Sequence, residues 1–135
     1  MKTTILVVSH VKKDQSFLFR KKPDGSLPYK ETWYGFGAEL HSANQNPDEA
    51  IIALVKQQTG VDIVVTEHLW WDTETKPNND GELTFFVYLH TIAEYLGGEL
   101  LPAAGIEKLQ WIEQENLKDY DIVPPSRAFL ARYLY

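Results

Sequence analysis

The sequence contains no cysteine. Disulfides, thiol nucleophiles and cysteine-ligated zinc are excluded with it. Long apolar runs are also missing: nothing approaches the roughly 18 residues that span a bilayer. The apolar start over residues 3–8 is too short for a secretory h-region and is followed by no small-residue cleavage site. A soluble cytoplasmic protein with no membrane partner is the expectation. Positive charge is in deficit, with 13 Lys and Arg against 19 Asp and Glu, a formal net charge of −6. Such a surface repels polyanions and argues against a nucleic-acid polymer as partner. It leaves room for a small nucleotide-type ligand held by local contacts. Repeats and low-complexity linkers are absent too. The histidines, His10, His41, His68 and His90, show no metal-ligand spacing, and read as ordinary surface or hydrogen-bonded residues.

What is present suits one globular domain over residues 1–135. Hydrophobic residues make up 44% and aromatic residues 13%, enough for a core, and 24% charged residues is an ordinary share. Residues 4–11 read as a β-branched strand, Lys12 to Gln15 as a polar turn, and 16–21 as a second strand. The turn-rich stretch Pro23, Asp24, Gly25, Ser26 follows, then a short aromatic strand over 31–36. A helix is predicted over 47–59. Asn46 is its N-cap, Pro47 its first residue, Asp48 and Glu49 offset the dipole, and Gly60 supplies the left-handed stop. Glu49, three residues after Asn46, resembles a capping-box partner. Long strands are expected over 62–73 and 83–94, joined by the polar connection 76–81, with a short strand over 109–112. Pro124 and Pro125 open a last helix carrying Phe129, Leu130, Tyr133 and Leu134 at helical spacing. Strands and two helices in this order suggest a mixed sheet covered by helices on both sides.

Segment 39–61, ELHSANQNPDEAIIALVKQQTGV, resembles the signature of the Nudix (MutT-like) hydrolase family, G-x5-E-x7-R-E-U-x-E-E-x-G-U, where U is aliphatic. Gly60 and Val61 match the final G-U, Val55 matches the aliphatic position inside the helix, and Asn46 to Ala50 is similar to the family's usual helix opening. Upstream, Tyr34, Gly35 and Phe36 resemble the aromatic-Gly-Phe strand before the box. Downstream, Val87 to Leu89, Gly97 to Glu99, Trp111-Ile112 and Val123 to Arg127 resemble further family features. The resemblance implies an α+β Nudix fold, an α/β/α sandwich around a mixed β-sheet. It also implies a nucleoside diphosphate linked to another group as ligand.

The box is degenerate. Glu39 stands where the first Gly belongs, Gln45 replaces the first Glu, Ala53 and Leu54 replace Arg-Glu, and Gln57 and Gln58 replace the Glu pair. In the family, the helix glutamates coordinate Mg²⁺ or Mn²⁺ and activate water, and the Arg pairs with the first Glu to hold the loop. Independently of the family, positions 53, 54, 57 and 58 lie on adjacent ridges of one helix. Carboxylates there would form the hard oxygen cluster that Mg²⁺ takes, whereas Ala, Leu, Gln and Gln carry no charge. Leucine cannot take a proton from water.

The expectation is therefore a Nudix-type protein without metal ligands at the family's positions. It is impaired in pyrophosphohydrolysis or binds a nucleotide only, as a sensor or partner subunit. The rival is an active enzyme with a site rebuilt from Glu39, Asp80 and Glu82, and Mg²⁺ or Mn²⁺ enters as cofactor only in that case. A third reading is an interaction module with an empty cleft. A homodimer is compatible with all three. The ligand-binding candidates are Glu39, Tyr34, Trp70 and Glu82. Trp70 and Trp71 point to opposite faces of a strand; core or rim packing of both is the expectation, with stacking of one on a base as the functional alternative. Tyr29, Trp33 and Tyr34 carry the same pair of readings. Arg20, Lys21 and Lys22 read as a solvated strand end, with phosphate contact as the functional alternative.

Overall fold

The apolar run near the start of the chain becomes the centre of the sheet. In the computed structural model, which describes residues 1–26, 28–42 and 45–135, β1 covers Lys2–Lys13. It is followed by β2 (Ser16–Lys21), β3 (Trp33–Tyr34), β4 (Phe36–Glu39), α1 (Pro47–Thr59), β5 (Asp62–Pro77), β6 (Leu83–Gly97) and β7 (Lys108–Glu113). A 3₁₀ turn over Gln114–Asp119 and α2 (Pro124–Leu134) complete the chain. The main strand order is β3-β2-β1-β6-β5, with β4 paired to β1 and β7 to β2. The β1–β6 ladder is parallel and the other pairings are antiparallel, so the sheet is mixed.

One edge of β1 runs beside β6 from Lys2↔Thr84 to Lys12↔Glu94. The other edge is shared. Leu6 to Ser9 pair with β4, and Val11 to Lys13 pair with β2. The sheet forks where the two registers meet, and His10 falls between them.

Alternation along the strands produces two apolar layers. Val7 and Val11 of β1, Leu18 of β2 and Ala93 of β6 pack against Ile51 and Val55 of α1. Phe17 and Phe19 of β2, Ile92 of β6 and Ile112 of β7 pack against Phe129 and Leu130 of α2. A helix thus covers each face, and the expected three-layer α/β/α arrangement is what the chain adopts.

Helix α1 has the predicted bounds. Asn46 Oδ1 accepts from Glu49 N at 3.1 Å, Pro47 begins the helix, and Gly60 ends it at φ 82 with its N–H bonded to Lys56 O. Buried Ile51, Val55 and Thr59 recur every four residues on its inner face.

Three local expectations are corrected, and one element is added. Lys12 and Lys13 extend β1 rather than forming the turn; the reversal is made by Asp14, at φ 55, and Gln15. The single strand over 31–36 is two strands, because the chain leaves β2 after Tyr34 and joins β1 from Phe36. The strands begun at Asp62 and Leu83 run on to Pro77 and Gly97, since their mutual ladder satisfies the backbone of polar residues that pattern alone leaves outside. The 3₁₀ turn went unforeseen; its buried Leu117 anchors it beneath α2.

Candidate functional site

On the α2 side of the sheet, one end is left uncovered. Thr4, Leu6 and Val8 of β1 and Phe86 and Tyr88 of β6 share the strand parity of the residues that face α2, and they form the floor of a cavity of about 420 Å³. Its walls come from four segments. Arg20 and Lys22 project from the end of β2. Tyr34 and Gly35 stand at the β3–β4 junction, with Tyr29 facing them from the preceding loop. Lys76 to Asp80 close the β5–β6 end, and Pro125 and Ser126 open α2 beside them.

The charge of this cavity opposes that of the chain. Lys2, Arg20, Lys22 and Lys76 line it against two carboxylates, Glu39 and Asp80, in a protein of net charge −6. Burial pulls the Arg20 guanidinium below its ordinary pKa, with the Tyr34 hydroxyl acting in the opposite sense. Burial and then repulsion from Arg20 do the same to Lys22. The Arg20 guanidinium is held in place by an Nε bond to Gly35 O at 2.9 Å and lies 5.5 Å from the centre of the Tyr34 ring. Lys22 Nζ lies 4.3 Å from the same ring centre. An anion placed here would relieve both cations.

Lys76, in the cavity wall, belongs to a polar chain with Tyr29, Glu74 and Tyr88. It donates to Tyr29 Oη at 2.6 Å and pairs with Glu74 at 3.0 Å, and Tyr88 donates to Glu74 at 2.7 Å. Burial works against the Lys76 charge, but the bonds to Tyr29 and Glu74 outweigh it and raise the pKa. Glu74 is pushed up by burial and more strongly down by Tyr88 and Lys76, ending below its ordinary range. Burial, then the bond to Glu74, raises the Tyr88 hydroxyl well above its usual pKa. These shifts keep Lys76 and Glu74 charged and Tyr88 neutral near neutral pH, so these three groups position charge and do not titrate there.

Two of the ligand-binding candidates, Glu39 and Tyr34, line this cavity, together with Asp80 of the proposed rebuilt site. Glu82 lies outside its walls. It is exposed in the β5–β6 turn, where Asn78 Oδ1 accepts from the backbone N–H of both Asp80 and Glu82 at 2.9 Å. Trp70 lies elsewhere on the same face, half-buried, with its ring 5.2 Å from Phe129 and under the Arg132 guanidinium at 3.9 Å. Trp71 is 73% exposed on the other side of β5. Trp33 is buried against the α2 layer. The sequence reading missed Lys76, Phe86, Tyr88 and Ser126. For Phe86 and Tyr88 the signal was the alternation of Phe86, Tyr88 and His90 on one face of β6; nothing local marked Lys76 or Ser126. His10 corrects the expectation for the histidines: it is 1% exposed, and both ring nitrogens lack a partner among the described residues. His68 and His90 are bonded to Asp48 and Asp72, at 2.9 Å in each case.

None of Ala53, Leu54, Gln57 and Gln58 lines the cavity. Ala53 and Gln57 are exposed, and Leu54 is half-buried against the α1 layer. Gln58 is half-buried and its Oε1 is enclosed without a partner among the described residues, while its backbone oxygen accepts from Ala103 N at 3.0 Å. Gln45 Oε1 accepts from His41 N at 2.7 Å and so pins the start of the box loop; residues 43 and 44 of that loop lie outside the described residues. Among the described residues no group of three or more His, Asp and Glu stands where it could hold a metal ion. A lone amide oxygen on a neutral helix face does not fit the divalent ion that the family's signature serves.

No protein-family model matches the sequence, and no curated protein matches it. Solved structures do match. A Nudix hydrolase from Nitrosomonas europaea superposes with a TM-score of 0.75 at 11% identity, over 97% of this chain and 87% of that one. The MutT protein from Methanosarcina mazei Go1 gives 0.73 at 13% identity, over 98% and 93%. A UDP-X diphosphatase gives 0.66 at 16% identity, over 98% of this chain and 63% of that one. No helix of the described residues is long and apolar enough to cross a membrane. Sheet order, the helix on each face and these superpositions agree, and the chain has the fold of the Nudix (MutT-like) hydrolases.

Proposed function

We propose that this protein binds a nucleoside diphosphate-type ligand in the cavity on the α2 side, and that it does not hydrolyse that ligand by the metal-dependent route of the Nudix signature helix. One observation carries the reading: a basic, aromatic-walled cavity has been kept while the helix face that would hold the metal is neutral. Arg20, Lys22 and Lys76 suit a diphosphate, which favours fixed cations in a partly desolvated site. Tyr29, Tyr34, Phe86 and Tyr88 suit an aromatic base. The volume lies in the range of small-ligand sites. One structural neighbour is named a UDP-X diphosphatase, which supports the ligand class.

With no metal at 53, 54, 57 and 58, neither water activation nor neutralisation of charge building on the diphosphate is supplied from the helix. What remains is binding and orientation by this chain's own groups. The test is calorimetry with UDP, ADP, GDP and CDP in chelator and in Mg²⁺, paired with a product assay in Mg²⁺ and Mn²⁺. Binding that survives chelator, falls about tenfold in Lys76→Ala, and proceeds without turnover is the expected result. Absence of binding across the series would overturn the reading.

Glu39 and Asp80 lie in the same cavity, which favours a second reading: an active site rebuilt outside the helix, with Glu82 close by in the turn. Metal-dependent turnover abolished by Asp80→Asn or Glu39→Gln would establish it.

A further inference from the structure

The end of the sheet that floors the cavity on its α2 side is bare on its α1 side as well. Helix α1 starts at Pro47, and Asp48 in its first turn meets His68, which pairs with Thr91 in the β5–β6 ladder. The ladder runs on past that point to Leu83. Leu89, Val87, Phe85 and Leu83 of β6 stand on the α1 side there, because they alternate with Tyr88 and Phe86 of the cavity floor. Trp71 of β5 pairs with Leu89, and Ile5 of β1 pairs with Val87, so both share that face.

Trp71 is 73% exposed, Leu83 55% and Ile5 39%, while Phe85, Val87 and Leu89 are half-buried. Among the described residues, none of the six packs into either apolar layer. Three strands about 4.8 Å apart, over four pleats of about 7 Å, give the patch a footprint on the order of 350 Å². An exposed apolar patch of that size marks an interaction surface.

The charge of the face selects its occupant. Thr3 pairs with Phe85, and Thr73, Thr75 and Pro77 pair with Val87, Phe85 and Leu83; none of these positions is charged, in a chain of net charge −6. A nucleic acid or an anionic membrane would need basic residues here. A strongly charged peptide would find no counter-charge. A second copy of this chain also carries −6, so two copies approach closely only through a surface free of carboxylates. A sheet face of aliphatic and threonine side chains is complementary to itself. Two such faces pack about 10 Å apart, and the same patch on both partners satisfies twofold symmetry.

We infer that this face is the interface of a homodimer, the two sheets packing over Ile5, Val87 and Leu89 with Trp71 as the aromatic anchor. The patch is smaller than the roughly 800 Å² per partner of a standard interface, so it forms the apolar core of a dimer that dissociates in the micromolar range. The cavity opens on the other face of the sheet, so nucleotide binding and dimerisation stand or fall separately.

Sedimentation equilibrium of the intact chain, from about 1 µM to 1 mM, reads the assembly directly. A monomer–dimer equilibrium is expected. It should tighten about threefold or more between roughly 0.1 and 1 M NaCl, as repulsion between the two negative bodies is screened. Thr73→Glu sets a carboxylate opposite its own symmetry mate at an exposed position, and Trp71→Ala removes the anchor. Each should weaken association about tenfold or more and leave the circular dichroism of the dilute protein unchanged. Leu101 is 66% exposed at the opposite end of α1, where its N–H bonds Thr59 O, so Leu101→Glu should dimerise like the parent. The proposal is overturned if the chain stays monomeric at the highest concentration, if association fails to tighten with salt, if folded Thr73→Glu or Trp71→Ala dimerises like the parent, or if Leu101→Glu disrupts the dimer as much as they do.

Discussion

Position 54 holds a leucine where the Nudix signature places a glutamate, and the leucine is half-buried against Ile51 and Val55 of the same helix and the strands beneath. Its burial contributes part of the roughly 1.5–3 kcal/mol of a fully buried leucine. Leu54→Glu should therefore destabilise the metal-free protein by about 1 kcal/mol or more, through a lost apolar contact and an acid with no partner. Gln57 is exposed, so Gln57→Glu should change stability by less than about 0.5 kcal/mol. Urea melts in EDTA measure both; a neutral Leu54→Glu would contradict the packing. His10 makes a prediction of opposite character. Its folded pKa is about 3, against 6.5 for the free side chain. From pH 6.5 downward the unfolded chain takes up a proton at His10 and the folded chain does not. Stability is thus lost as pH falls toward 3, by up to about 1.4 kcal/mol per pH unit from this residue. His90, also lowered, adds in the same direction, and carboxylates act below about pH 5. Those terms persist in His10→Phe, so the difference between the two stability–pH curves isolates His10: the variant should be flatter between pH 6.5 and 4.

At the scale of elements, α1 is the part of the chain most legible in sequence, because its signals are local. Asn46, Pro47, the acidic first turn and Gly60 act within one turn of the helix ends. Asn46→Ala should cost about 1 kcal/mol in a thermal melt, for the loss of the bond to Glu49 N. Gly60 carries a second demand that its own sequence neighbourhood hides. At φ 82, a Cβ there would approach Glu99 O to 2.6 Å, and Leu101 N–H bonds the adjacent Thr59 O at 2.8 Å. Gly60→Ala should cost about 2 kcal/mol or more, since it adds backbone strain to a clash with a carbonyl that cannot rotate away. A cost near that of an ordinary C-cap substitution would show the segment after β6 to be free to shift. The split of β3 from β4, by contrast, left no local mark. Residues 31–36 have one strand-like composition, and only the choice of partner, β2 before Gly35 and β1 after it, divides them.

Across the whole molecule, charge is distributed against its own average. A chain of net charge −6 gathers Lys2, Arg20, Lys22 and Lys76 round one cavity, from β1, β2, the residue just beyond β2, and the far end of β5. Binding of inorganic pyrophosphate there should weaken about three- to tenfold when ionic strength rises from 0.1 to 1 M, as the screening length falls from about 10 to 3 Å. Lys76→Ala should both weaken binding and flatten that dependence in calorimetric titrations; salt-independent binding would place the anion elsewhere. The sequence by itself determined the two helices, most of the strands, a mixed sheet covered by helices on both sides and the absence of charge at positions 53, 54, 57 and 58, because these follow from periodicity, caps and residue identity, all of which act over a few positions. Only the tertiary structure decided which residues share a site. Lys76 and Tyr29 are 47 positions apart yet hydrogen-bonded at 2.6 Å, while Trp70 and Glu82, as plausible by type as Tyr34 and Glu39, are not among the residues that line the cavity. The fork at His10 belongs to the same class: whether a β-branched strand with one histidine buries a satisfied or an unpaired ring depends on which strands arrive beside it. Strand pairing and register set that, and no local pattern encodes them.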